Sequence, residues 1–382
     1  MLAGSISFSR AARISVSAFF FITGLCFASW ASRIPDIQHH LQLNEAQLGG
    51  VLFALPIGLM VSMPVAGFLV TKFGSRIVML TGAIVYSGLL CLLGTVDTTW
   101  QLTMILFFYG MSGNMMNISI NTQAVGVEAL YQRSIMASFH GLWSVAGFTG
   151  AAIGTFMVSQ DVSPLIHFIS IAGLIILLAC LMFPYALQNE ENRQSARSGI
   201  SWPDKPLLKL GIIAFCCMAC EGCMFDWSGI YFRDMVKAPQ QLVPLGYTAF
   251  MAMMATGRFV GDRLITRIGV KQVMVVSGCL ITIGLSSAII FPNIYVATVG
   301  FLLTGFGVSS IVPMAFGLAG KSKTMAPGLA IAAVSTVGFL GFLFGPPVIG
   351  YIAKAASLRW SFALIALFGS LIIFLSGKVK AQ

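Results

Sequence analysis

Charge is what this sequence has least of. Only 9% of its 382 residues are Asp, Glu, Lys or Arg, against about 25% in soluble globular domains. So few charges cannot clothe a water-facing surface of this size, which excludes an ordinary soluble enzyme or binding module. Polar stretches are scarce as well; the one extended run is Gln188 to Pro206, QNEENRQSARSGISWPDKP. Also missing are the Gly-x-Ser-x-Gly elbow, the His-Glu-x-x-His pair and the Gly-x-x-x-x-Gly-Lys phosphate loop. Those absences argue against enzymatic chemistry and against an ATP-driven pump. No cofactor or metal is expected, and a proton gradient is the energy source left to consider.

Apolar residues fill the space. They make up 57% of the chain, and the mean hydropathy is +0.91. A helix needs about 20 residues to cross the hydrocarbon core. Twelve apolar runs of that order follow one another, at roughly 13–35, 45–70, 76–95, 99–125, 134–158, 163–187, 207–233, 242–266, 271–291, 293–319, 326–353 and 357–377. None alternates apolar with polar as a β-barrel strand does. The chain therefore reads as an all-α membrane protein with twelve transmembrane helices. The run from Ile14 continues too far for a cleaved secretory signal.

A net charge of +10 would suggest nucleic acid in a soluble protein, but here the charges sit at the ends of apolar runs. There they hold orientation by resisting translocation and meeting anionic lipid. With the N-terminus inside, seventeen Lys and Arg fall on the cytoplasmic side and five on the outer side. Both termini are then cytoplasmic, in a bacterial inner membrane. The polar run divides the chain into six helices over 1–187, a cytoplasmic linker over 188–206 and six helices over 207–382. The expected partners are a small-molecule solute and membrane lipid, not nucleic acid, for a protein acting as a monomer. Eight cysteines all lie in apolar runs. Cys217-x-x-Cys220-x-x-Cys223 thus reads as small apolar packing rather than a metal or redox site.

The two halves repeat each other. Leu69-Val70-Thr71-Lys72-Phe73-Gly74-Ser75-Arg76 returns 195 residues later as Leu264-Ile265-Thr266-Arg267-Ile268-Gly269-Val270-Lys271. Trp30-Ala31-Ser32 echoes Trp227-Ser228-Gly229, Gly110 matches Gly305, and Gly147-Phe148-x-Gly150-x-x-x-Gly154 matches Gly338-Phe339-x-Gly341-x-x-x-Gly345. A duplicated membrane half with a matching basic turn is the mark of a secondary transporter built from two pseudo-symmetric six-helix bundles.

These features resemble the major facilitator superfamily along essentially the whole chain. The loop between its second and third helices follows Gly-x-Leu-Ala-Asp-Arg-x-Gly-Arg-Arg. Gly67, Leu69, Lys72, Gly74 and Arg76 match it, whereas Thr71 replaces the acidic residue and Ser75 a basic one. Gly257-Arg258-Phe259-Val260-Gly261-Asp262 is similar to an element of the fucose permease branch and its YbjJ-type bacterial permeases. The resemblance implies alternating access by two bundles, usually driven by a proton gradient.

Polar groups inside a bilayer are costly and mark a cavity by default. Glu221 and Asp226 lie within the seventh helix. Burial penalises a carboxylate's charged form, so both are candidates for proton coupling, together with His140 in the fifth helix. At 100° per residue the two carboxyls are about 140° apart on a regular helix. Asn114, Asn117 and Asn121 form a stripe on the fourth helix, and an amide suits a hydroxyl-rich ligand. Trp30, Trp143 and Trp227 offer rings to a sugar face, and Arg33 stands near the outer end as a ligand or as a partner for Asp226. Lys72, Arg76, Arg258, Asp262 and Arg267 are read as a cytoplasmic gate, with Arg258 and Asp262 spaced for an ion pair. The reading is proton-coupled symport of a small polar solute such as a monosaccharide. Two alternatives stand beside it. The run Gly341-x-x-x-Gly345-Pro346-Pro347-x-x-Gly350, with 20 Met and 30 Phe, fits an exporter or antiporter of small organic or drug-like compounds. A non-transporting membrane sensor or assembly partner is the other.

Overall fold

Helices account for all the regular structure in the computed structural model, which describes residues 2–132, 135–188 and 204–378. In chain order they are α1 (Leu2–Ala31), α2 (Ile34–His40), α3 (Glu45–Leu52), α4 (Ala54–Phe73), α5 (Ser75–Leu93), α6 (Thr99–Tyr131), α7 (Met136–Ser159), α8 (Pro164–Met182), α9 (Lys205–Asp234), α10 (Leu245–Ile268), α11 (Val270–Ile290), α12 (Ile294–Val308), α13 (Ile311–Ala319), α14 (Pro327–Ala355) and α15 (Leu358–Gly377). Ten helices or helix pairs are long and apolar enough to cross a membrane. Two more of spanning length, α6 and α10, carry more polar residues, including Asn114, Asn117 and Asn121 on the first and Arg258, Asp262, Arg263 and Arg267 on the second. The linker residues 189–203, with Arg193 and Arg197, lie outside the described residues, as do Arg133 and Lys380.

Three expected single spans are interrupted. The first stops at Ala31, turns through Ser32 and Arg33, and resumes as α2 with Pro35 in its first turn. The second breaks at Phe53, between α3 and α4. Pro56 lacks the amide that would bond the Leu52 carbonyl, so a continuous helix there would lose a rung. The tenth breaks at Ser309-Ser310 for the same reason, because Pro313 cannot donate to the carbonyl of Ser309. Side-chain caps fix several starts. Asn44 and Gln47 form a reciprocal capping box on α3, and Thr98, Ser163, Asp204 and Asn293 each accept an amide hydrogen three residues on.

The chain divides into two compact units. One holds residues 1–42 and 54–193, and the other 43–53 and 194–382. Within the first, α1 packs on α7 and α8, α4 on α6, and α5 on α6 and α8. Within the second, α9 packs on α14 and α15, α10 on α12, and α11 on α12 and α15. There too α3 lies on α14, where a Cβ at Gly49 would stand 2.6 Å from the Pro346 carbonyl oxygen.

The repeat seen in the sequence has a physical counterpart. Gly74 and Gly269 share one unusual backbone, with φ, ψ of 80°, 148° and 84°, 154°, a region essentially reserved for glycine. Gly110 and Gly305 repeat as a contact: a Cβ at either would overlap a carbonyl oxygen, of Leu55 in one unit and Phe250 in the other. Leu55 and Phe250 are themselves 195 residues apart.

Candidate functional site

The second unit gathers its polar groups around α9. That helix runs unbroken from Lys205 to Asp234, so no interruption at Gly222 or Gly229 brings Glu221 and Asp226 onto one face. Each meets different neighbours. Glu221 is 7% exposed. One turn earlier on α9, the Cys217 sulfur is 3.9 Å from its Oε1 and 3.5 Å from the Val308 carbonyl oxygen at the end of α12. The guanidinium of Arg258, half-buried on α10, interacts electrostatically with Glu221 and Cys217. Arg258 lies between Gly257 and Gly261, and a Cβ on either glycine would overlap the hydroxyl of Ser309 or Ser310 respectively. These glycines let α10 approach the break between α12 and α13.

Asp226 is half-buried and faces another set of groups. It belongs to none of the ion pairs among the described residues. The phenol of Tyr247 on α10 is within electrostatic range of it. Tyr247 is 1% exposed, and its hydroxyl has no hydrogen-bond partner among the described residues. Phe342 of α14 lies over Gly222 and stacks on Phe225, with centroids 6.1 Å apart and planes 11° apart.

The expected Arg258–Asp262 ion pair is not formed among the described residues. Asp262 is exposed near the end of α10, where water competes for its charge. The other gate candidates are more local still. Lys72 lies over the rings of Phe68 and Phe73 at 5.6 and 5.2 Å, and Arg267 is exposed. Arg76 donates to the Phe183 carbonyl at 3.2 Å and stacks on that residue's ring, tying the basic turn to the end of α8.

In the first unit the asparagine stripe separates. Asn114 is buried and donates to the Leu59 carbonyl and the Ser62 hydroxyl of α4, at 3.1 and 2.9 Å. Asn117 is exposed, and Asn121 donates to its carbonyl and to its side-chain oxygen, at 2.8 and 3.0 Å. Of the three, Asn117 is exposed, Asn121 half-buried and Asn114 buried. Arg33, 3% exposed, is fully engaged within its own unit. It donates to Asp36 and the Val162 carbonyl at 2.7 Å each and to His167 Nδ1 at 3.2 Å. A side chain so held fixes the elbow between α1 and α2. Trp30 and Trp227 are 1% and 0% exposed, so neither presents a ring face for stacking. Trp143 is half-buried beside Phe27, and His140 is exposed, with Phe20 edge-on at 5.2 Å.

Sequence reasoning passed over Tyr247, His167 and Phe342. Tyr247 could have been singled out, since a phenol near the start of a membrane helix needs a partner for its hydroxyl. The other two carry no local signal.

Known proteins agree with this architecture. Solved structures that share the fold include a variant of the nucleoside transporter NupG, with TM-score 0.77, 13% identity and coverage of 97% of this chain and 100% of that one. The Escherichia coli fucose:proton symporter FucP shares it with TM-score 0.63, 15% identity and 97% and 98% coverage. By sequence, an uncharacterized MFS-type transporter of Yersinia pestis is 32% identical, over 93% of this chain and 92% of its own length. Membrane protein MosC of Rhizobium meliloti is 30% identical, over 92% and 86%. The profile of the Major Facilitator Superfamily matches residues 16–244 and 237–379. Twice matched in this way, and with helices as its only regular structure among the described residues, the chain belongs to the major facilitator superfamily of membrane transporters.

Proposed function

We propose that this protein is a proton-coupled symporter that takes up a small polar solute, such as a monosaccharide, by alternating access across a bacterial inner membrane. Glu221 carries the reading. It is a buried carboxyl within a membrane span, and an intramembrane ionisable residue is a functional group by default. It acts on the guanidinium of Arg258 on a neighbouring helix. An ionised Glu221 attracts α10 through Arg258, and a protonated one does not. Gain and loss of one proton would thus change how α9 and α10 hold together, which is the coupling a symporter needs. Asn117 and Asn121 supply amides for solute hydroxyls. Similarity of the Gly257–Asp262 element to the fucose permease branch supports a sugar-like solute. The seventeen-to-five distribution of Lys and Arg supports cytoplasmic termini.

Proteoliposome flux tests this. With an imposed pH gradient, the wild-type protein should accumulate a labelled monosaccharide, and Glu221→Gln should not. Solute exchange without a gradient should persist in the variant, because binding and reorientation remain. Undiminished gradient-driven accumulation by Glu221→Gln would remove Glu221 from the mechanism.

A further inference from the structure

The turn from α4 to α5 carries two cations with no acid to balance them among the described residues. Lys72 and Arg76 lie four residues apart, on either side of Gly74. No Asp or Glu occurs between Glu45 and Asp97, or between Pro164 and Gln188, so α4, α5 and α8 offer none. Thr71, which replaces the acidic residue of the superfamily's turn, donates to the Gly67 carbonyl of its own helix at 2.8 Å. On α6, which packs on α5, Glu128 accepts from the Ile135 and Met136 amides at 2.8 and 3.0 Å. Neither cation enters an ion pair among the described residues.

Aromatic rings hold both cations instead. Lys72 lies over Phe68 and Phe73. Arg76 stacks on Phe183 at 4.3 Å and donates to that residue's carbonyl. A ring face orients a cation but leaves its charge uncancelled. Lys72 is exposed and Arg76 half-exposed, so a partner can reach them. The turn joins two membrane spans, and it also exposes Phe68, Phe73 and Ile77. Positive charge bordered by exposed hydrocarbon fits a molecule with an anionic head and acyl tails. A soluble anion would leave those rings without a partner. The repeat supplies a contrast. Arg267 and Lys271 stand 195 residues on, but Arg263 and Ile268 replace Phe68 and Phe73. The second turn has the charge without the rings.

We infer that Lys72 and Arg76 bind the headgroup phosphate of an anionic phospholipid, whose acyl chains lie along Phe68, Phe73 and Ile77. The site stands apart from Glu221 and from any solute.

Thermal unfolding of the full purified chain in detergent tests this, with phosphatidylglycerol, phosphatidylcholine or glycerol phosphate added. Phosphatidylglycerol should raise the unfolding midpoint at lower concentration than phosphatidylcholine does, and glycerol phosphate should not raise it. Lys72→Gln combined with Arg76→Gln should weaken the phosphatidylglycerol effect about tenfold or more in lipid concentration. Lys72→Arg combined with Arg76→Lys keeps both charges and should retain most of the effect, which separates lost charge from misfolding. Arg267→Gln combined with Lys271→Gln removes equal charge from the turn without rings and should leave the effect nearly intact. An equal response to phosphatidylcholine or to glycerol phosphate would overturn the inference. So would an undiminished effect in the first pair of variants, its loss in the charge-keeping pair, or an equal loss in the Arg267 and Lys271 pair.

Discussion

Asn114 shows how a side chain's neighbours decide its work. Spacing placed it with Asn117 and Asn121 on one stripe, but it is buried against α4 and donates to Leu59 and Ser62. The position 195 residues later holds Ser309, and the counterpart of Ser62 is Gly257. In one unit a large amide reaches a small hydroxyl; in the other a serine sits against a glycine. The same helix contact is thus filled in two ways. Replacing Asn114 by Ala removes both hydrogen bonds and should cost about 1 kcal/mol. The same change at Asn121, whose amide bonds only within its own helix, should cost less. Thermal melting of the purified variants checks this, and equal midpoints would remove the distinction. The buried guanidinium of Arg33 teaches the same lesson. A 3.6-residue period reveals which face a residue lies on but not which group waits opposite, so partners such as His167 were not legible.

At the scale of elements, legibility followed backbone chemistry. The basic turn was readable because only glycine tolerates the backbone it needs, and the residue recurs wherever the turn does. Gly74 and Gly269 hold the same positive φ. Ala at either should destabilise its unit by about 1–3 kcal/mol. Ala at Gly67, where a Cβ would meet nothing within 4 Å, should be nearly neutral and serves as the control. Melting midpoints of the three variants decide the matter, and a Gly269→Ala protein as stable as Gly67→Ala would contradict it. The breaks at Phe53 and at Ser309-Ser310 were written in the sequence as well, in Pro56 and Pro313. Long apolar runs masked them, since hydropathy averages over the missing amide. Elsewhere α14 stays helical through Pro346 and Pro347, so a proline alone does not announce an interruption.

For the whole molecule, span number and charge distribution constrain topology together. If α6 and α10 cross along with the ten apolar spans, twelve crossings would return the chain to the side from which it started, and both ends would share a compartment. Lys and Arg outnumber their outer-side counterparts seventeen to five when that compartment is the cytoplasm, and such a bias sets orientation because basic loops resist translocation. Neither the solute nor Glu221 bears on this topology, but α6 and α10 do, because removing either one from the spans would make the count odd and place the ends on opposite sides. Green fluorescent protein fused to the C-terminus should fluoresce, since it matures in the cytoplasm, whereas alkaline phosphatase fused there should be inactive. The same pair of reporters joined at the N-terminus should give the same result. Opposite results at the two ends would mean that α6 or α10 does not cross.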